Sequence, residues 1–203
     1  MSFLFPLLLV VIFVAVAISL YTEGLWGNAL RLINVVTAAL LATNFYEPLA
    51  NWLQSMDALK SYRYLLDFLC IWLLFGIAMG VLRGATDYIS KVKVRFLQIV
   101  DRVGSGILSC CVAAVMVSFI TMSLHTAPLA EEFMWGGFQS EKPMMMGLAP
   151  DIKWLRFTQM VSGGAFARSP KKPMDRQQFI SRYKQRRKEI ENHVTTTGKI
   201  RTN

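Results

Sequence analysis

Four ionisable residues sit in or against apolar stretches of the chain: Arg31, Asp67, and the adjoining Asp101 and Arg102. A charge inside a bilayer is costly, so such residues commonly line ion or substrate paths or tie helices together. They also fit a plainer reading as boundary charges. An arginine near a helix end can lay its stem on apolar surface and keep its head in water. An aspartate is favourable beside a helix N-terminus. Both readings stand for these four residues. One pairing is specific: Arg31 with Asp101, across the mouth of the helical hairpin. The other reactive side chains suggest no chemistry. Cys70, Cys110 and Cys111 lie inside apolar runs without a CxxC, and His125 and His193 are far apart with no metal-ligand spacing. No GxSxG, HExxH or phosphate-binding loop occurs. The chain therefore reads as non-enzymatic, with no metal and no cofactor.

A second set of residues suits packing. Gly24 and Gly27 would tighten the link between the first two apolar segments. Gly76 and Gly80 form a GxxxG, and Ser105, Ser109 and Ala113 recur every fourth residue. Each set shares one helix face, where a second backbone can come close. Ala38, Ala39, Ala42 and Thr43 offer the same kind of surface on neighbouring turns.

The elements that must position these residues follow from composition. Apolar residues make up 54% of the chain and charged residues 17%, where soluble domains carry about 25% charged. Residues 1–22 and 103–130 contain no Asp, Glu, Lys or Arg. Such runs are long enough to cross a hydrocarbon core of about 30 Å as helices. Four spans are expected, near residues 3–21, 25–46, 65–82 and 103–125. The fold class is an all-α membrane protein, a small bundle of four transmembrane helices. The first span lacks a basic leader and a small-x-small cleavage site, so it reads as retained rather than as a signal peptide. Loop three places Tyr88, Val92, Phe96 and Ile99 at helical spacing, with Lys91, Arg95 and Gln98 on other faces. That pattern predicts an amphipathic helix lying in the membrane interface. The alternation in "KVKVRF" also permits a strand, but a lone strand would have no partner.

Pro128 should end the fourth span. Three parts result: a membrane domain over 1–130, a juxtamembrane loop over 131–168 rich in Gly, Pro and Met, and a basic tail over 169–203. The loop carries a short helix from Asp151, with Ile152, Trp154 and Leu155 toward an interface, and Gly163-Gly164 as a joint. The tail is partly helical or disordered, and its last ten residues are expected to be disordered.

The net charge is +9 and unevenly placed. Loop three carries Arg83, Lys91, Lys93, Arg95 and Arg102, against Lys60 and Arg63 in loop two. The positive-inside rule then puts loop three in the cytoplasm and both termini outside. Arg31, Asp101 and Arg102 would share the cytoplasmic end, and Asp67 the outer one. The basic tail lies far from the last span, beyond Glu131, Glu132 and Glu141, so it does not oppose this arrangement. It would be a solvated extension or contact anionic lipid; nucleic acid is not expected. The expected partners are the bilayer and other proteins, including further copies of the chain.

Two stretches carry a resemblance to a known family. "EGLWGNALRLINVVTAALLATNFY" has a hairpin glycine, an amphipathic start and a small-residue helix, with Gly24, Ala29, Leu30 and Leu32 in matching places. "VDRVGSGILSCCVAAVMVSF" opens on Asp101-Arg102, followed by small residues every four positions. Both resemble the colicin V production (CvpA) family of small bacterial inner-membrane proteins, over about the first 130 residues. The family's glycines fall here at Ser105, Ser109 and Ala113, flanked by Gly104 and Gly106, and a charged family position falls at Asn28. The family is itself similar to the membrane region ahead of a periplasmic serine protease domain in some actinobacterial proteins, which would also place the C-terminus outside. The resemblance implies an accessory role in toxin production or export and in envelope homeostasis, through protein contacts. A small oligomeric transporter or channel is the alternative, although four spans are few for a transporter built from inverted repeats.

Overall fold

The computed structural model describes residues 4–56, 62–90, 96–129, 148–163 and 175–201. Among these residues all regular structure is helical. The helices are α1 (Leu4–Tyr21), α2 (Gly24–Gln54), α3 (Arg63–Ile89), α4 (Gln98–Thr126), α5 (Pro150–Ser162) and α6 (Arg176–Arg201). The first four are long and apolar enough to cross a membrane. The chain is an all-α, multi-pass membrane protein.

α1 spans 18 residues, about 27 Å of helix. It has almost nothing polar to satisfy: the Ser19 hydroxyl donates back to the Val16 carbonyl. Phe5 and Leu9 bury against Val117 of α4, while Leu7, Val11, Val14 and Ile18 face outward. Thr22 and Glu23 make the turn. Gly24 follows with φ +81°, a left-handed value that glycine adopts without a Cβ clash. The tight hairpin therefore depends on Gly24.

α2 is the central helix, packing on both α3 and α4. Ala38, Ala39, Ala42 and Thr43 are all buried, and these small side chains let the neighbouring backbones close in. The helix continues beyond the expected end at Tyr46, through Pro48 to Gln54. An internal proline costs about 3 kcal/mol. Tyr46 and Ala50 are buried, and Leu49 and Leu53 pack on the same core, so burial on the next two turns offsets that cost.

α3 and α4 contain 27 and 29 residues, about 40 Å each. They outrun the hydrocarbon core at their ends. That excess absorbs much of loop three. Tyr88 belongs to the last turn of α3 and Ile99 to the first turn of α4, and Ser90, Phe96 and Leu97 are non-helical. No separate interfacial helix occurs among the described residues; Lys91, Val92, Lys93 and Arg95 lie outside them, as does the loop over 130–147.

Aromatic rings join the layers. Phe75 of α3 meets Phe119 of α4 at 4.8 Å, and Phe119 meets Trp154 of α5 at 6.2 Å. The short helix after Asp151 is thus α5, seated by Trp154 and Leu155 as the sequence suggested. The tail departs from expectation. α6 runs to Arg201, so residues 194–201 are helical rather than disordered. Its start near Lys171 and Lys172 and the side chain of His193 fall outside the description.

Candidate functional site

The N-termini of α2 and α4 and the C-terminus of α3 meet at one end of the bundle. Asp101 sets the geometry there. Its Oδ1 accepts the Leu25 backbone N–H at 2.9 Å. That N–H belongs to the first turn of α2, whose donors have no partner within the helix. The preceding residue, Glu23, makes no side-chain cap. A carboxylate from α4 therefore caps α2 and complements its dipole.

The expected pair of Arg31 with Asp101 is not formed. Arg31 Nη2 instead meets Glu23 Oε1 at 3.1 Å, because Asp101 is committed to the helix start and Glu23 lies at the adjacent turn. Arg102 is exposed. The deeper tie at this end is made by Asn28. Its Nδ2 donates to the Leu20 carbonyl at 2.9 Å and to Ser105 Oγ at 2.9 Å. Ser105 Oγ in turn donates to the Tyr21 carbonyl at 2.7 Å. One buried amide and one hydroxyl so satisfy two carbonyls at the frayed end of α1 and bind α1, α2 and α4 together.

The small residues behave in three ways. Ser105, Ser109 and Ala113 are all buried, and the closest approach of α4 is at the neighbouring Gly104. A Cβ there would lie 2.4 Å from Leu25 Cδ1. Gly27 is less constrained, since a Cβ would meet only Glu23 Cβ at 3.6 Å. Gly76 and Gly80 pack against nothing among the described residues. A Cβ on either, or on Gly84, would find no atom within 4 Å.

Between the helix ends lies a cavity of about 530 Å³. Glu23, Arg31, Arg83, Asp87 and Asp101 stand around it, and Leu30 and Met79 lie among its lining. Trp26 Nε1 donates to Ser90 Oγ at 2.8 Å across one side, and Asn34 Nδ2 donates to Thr86 Oγ1 at 3.0 Å.

The opposite end holds a second polar cluster, far richer than the sequence indicated. Asp67 is there, apart from Arg31 and Asp101 as expected, and its partners come from the tail. Tyr183 donates to Asp67 Oδ2 at 2.8 Å, and Arg186 pairs with the same oxygen. The hydroxyls of Tyr46 and Tyr183 lie 3.0 Å apart. Since Tyr183 gives its proton to Asp67, Tyr46 is the donor between them. Burial first, then the nearby Tyr46 and Asp67, push the Tyr183 phenol far above its usual range; it stays protonated. Arg182 pairs with Glu47 at 2.7 Å. Burial opposes its charge, but Glu47 and the neighbouring Tyr46 and Tyr183 oxygens together outweigh this and hold its pKa up. Arg187 donates to the carbonyls of Leu124 and His125 in the last turn of α4, a favourable place for a cation. His125 Nε2 lies 2.9 Å from Asp151 Oδ2, with both side chains fully buried. This pair fastens α5 to α4.

A signal for the tail was present: Phe179, Tyr183 and Arg187 recur every fourth residue, and all three are buried. Pro150-Asp151 likewise has the form of a helix start. Nothing in the spacing pairs His125 with Asp151. Among the described residues no group of three His, Cys, Asp or Glu could hold a metal.

The family model described as Colicin V production protein matches residues 5–141. The chain belongs to that family. The match takes in the four-helix bundle from Phe5 onward, including the Asp101 cap and the Asn28–Ser105 tie, while α5 and α6 lie beyond it. Comparisons with curated proteins and with solved structures found no match. For this colicin V production family member, the matched region therefore holds the mouth and its cavity, and the polar lock at the far end is shared between the bundle and the two helices that follow.

Proposed function

We propose that this member of the colicin V production family is an accessory factor in toxin production or export and in envelope homeostasis, and that it acts by binding other membrane proteins rather than by catalysis. One observation carries the reading. α3 presents Gly76, Gly80 and Gly84 on a face that none of the chain's described helices covers. Leu69, Leu73, Ile77 and Val81 are exposed along the same face. In lipid, small residues at four-residue spacing let a second helix approach and gain close packing. The bilayer is the inner membrane, with loop three toward the cytoplasm and α5 and α6 outside, as the basic residues of loop three favour.

The test is site-specific photocrosslinking from Ile77 and Val81 in native membranes, with Val11 on α1 as the comparison. Discrete protein adducts from α3, lost together with toxin secretion in Gly80→Leu at unchanged protein level, are expected. Unchanged adducts and full secretion in Gly80→Leu would refute the reading.

A further inference from the structure

We propose that the mouth cavity binds the headgroup of a zwitterionic phospholipid bearing a phosphate and a primary ammonium. The phosphate would lie on Arg31 and Arg83, and the ammonium among Glu23, Asp87 and Asp101. The proposal is independent of the α3 face.

Charge comes first. Two guanidinium groups and three carboxylates stand around one cavity of about 530 Å³. A ligand that is only anionic would meet the three acids, and one that is only cationic would meet the two arginines. A ligand carrying both charges a few bonds apart matches both sets. The internal pairs can yield to it. Arg31–Glu23 has side-chain exposures of 21% and 47%, and Arg83–Asp87 spans 3.8 Å with exposures of 65% and 75%. Exposed pairs of this kind contribute about 0–1 kcal/mol, so exchanging them for ligand contacts costs little.

Hydrogen bonding then narrows the amine. A primary ammonium has three N–H donors, and the cavity supplies carboxylates together with the Thr86 and Ser90 hydroxyls. A trimethylated amine has no N–H to donate to the carboxylates. Position and depth favour a lipid over a soluble zwitterion. The cavity opens where spans enter and leave the bilayer, beside the indole of Trp26, a side chain typical of headgroup depth. Its lining extends to Leu30 and Met79, which suit the glycerol and first methylenes of a chain rather than a second polar group.

The experiment uses the full-length protein in detergent micelles. It is offered equal amounts of phosphatidylethanolamine, phosphatidylglycerol and phosphatidylcholine with identical acyl chains, and retained lipid is read by native mass spectrometry. Phosphatidylethanolamine should be retained at least about tenfold over the other two, a difference of about 1.4 kcal/mol. Arg31→Gln with Arg83→Gln should bring retention to background. Asp87→Asn should erase the preference over phosphatidylglycerol. Arg83 is exposed and, among the described residues, pairs within its own helix, so Arg83→Gln alone carries the test if the double variant does not fold, with a several-fold loss expected. Equal retention of the three lipids, or undiminished retention by Arg83→Gln, overturns the proposal. Displacement of the lipid by equimolar soluble glycerophosphoethanolamine overturns the assignment to a lipid.

Discussion

Removing the Asn28 amide should loosen the whole mouth of the bundle. Asn28→Ala deletes the donors to Leu20 and Ser105, each at 2.9 Å. Interhelical hydrogen bonds in membranes average about 0.6 kcal/mol and reach about 1.7, so two bonds amount to about 1–3 kcal/mol. The lower half of that range applies, because the Leu20 carbonyl also accepts the Glu23 backbone N–H at 3.1 Å and keeps that partner when the amide is lost. Ser105→Ala deletes its acceptor for Asn28 and its 2.7 Å donation to Tyr21, about 1–3 kcal/mol on the same scale. The Asn28–Ser105 bond is counted in both single variants. The double variant should therefore cost about 1 kcal/mol less than the sum of the singles, the signature of residues in one network. Reversible unfolding in mixed micelles, followed by circular dichroism or steric trapping, measures all three. Additive effects, with each single variant within about 0.5 kcal/mol of the parent, would show that the mouth is held by apolar packing alone and that the tie is incidental.

Other variants separate the two ends. Asp101→Ala should cost about 1 kcal/mol through loss of the α2 cap, while Asp101→Asn, still an acceptor, should keep most of the stability; thermal unfolding of the pair checks this order. Asp67→Ala should free α6. Breaking a buried ion pair costs about 3–5 kcal/mol, and partial exposure of Arg186 reduces this to about 2, or roughly 30-fold in the undocked population. Trypsin cleavage among the tail arginines should rise to match. Tyr183 gives a pH signature. Its folded pKa is raised above an unfolded value of about 10, so its contribution is fully present below that value and declines as pH rises above about 10. Thermal stability of the parent should fall as pH rises above about 10, and Tyr183→Phe should be less stable at pH 7 but show a shallower fall. Parallel curves would rule out Tyr183 as the titrating group.

The spans were legible because their cause is local: residues 1–22 carry no charge to keep them from lipid, and Gly24 marks the only cheap way to turn. Loop three was less so. Tyr88 and Ile99 do obey a helical period, but it belongs to two long helices whose ends overrun the hydrocarbon core. The site was half legible. Asp101 was placed correctly at a helix N-terminus, yet the helix it caps most directly is α2, not its own. Arg31 found a partner one hairpin turn away instead of across the mouth. Such choices depend on which oxygen lies nearest after packing, and that distance is not written in spacing. The tail reads from sequence as partly helical or disordered, and only the disorder expected of its last ten residues differs from the helix that runs to Arg201. Its aromatic anchors are few, and the acids that dock it, buried Asp67 and half-buried Glu47, are supplied from α3 and α2.

The contrast between the two polar ends bears on what each does. At the far end charge is withdrawn from water and matched atom to atom: Asp67 receives a phenol and a guanidinium, and His125 and Asp151 are fully buried together. Such a cluster is destabilising once a partner is lost, so selection for stability alone keeps it. At the mouth the same residue types are left half in solvent around a cavity, in pairs that contribute little to folding. Asp101 caps α2, but stability does not require the other four charged groups, Glu23, Arg31, Arg83 and Asp87, to converge beside it. Between the ends, Ala38, Ala39 and Ala42 close α2 onto its neighbours and Phe75 stacks on Phe119, so the charges at the mouth are not relayed to the lock by any polar chain among the described residues. On the proposed reading the mouth charges serve a bound headgroup, and neutralising Arg83 should leave unfolding nearly unchanged while altering what the cavity holds.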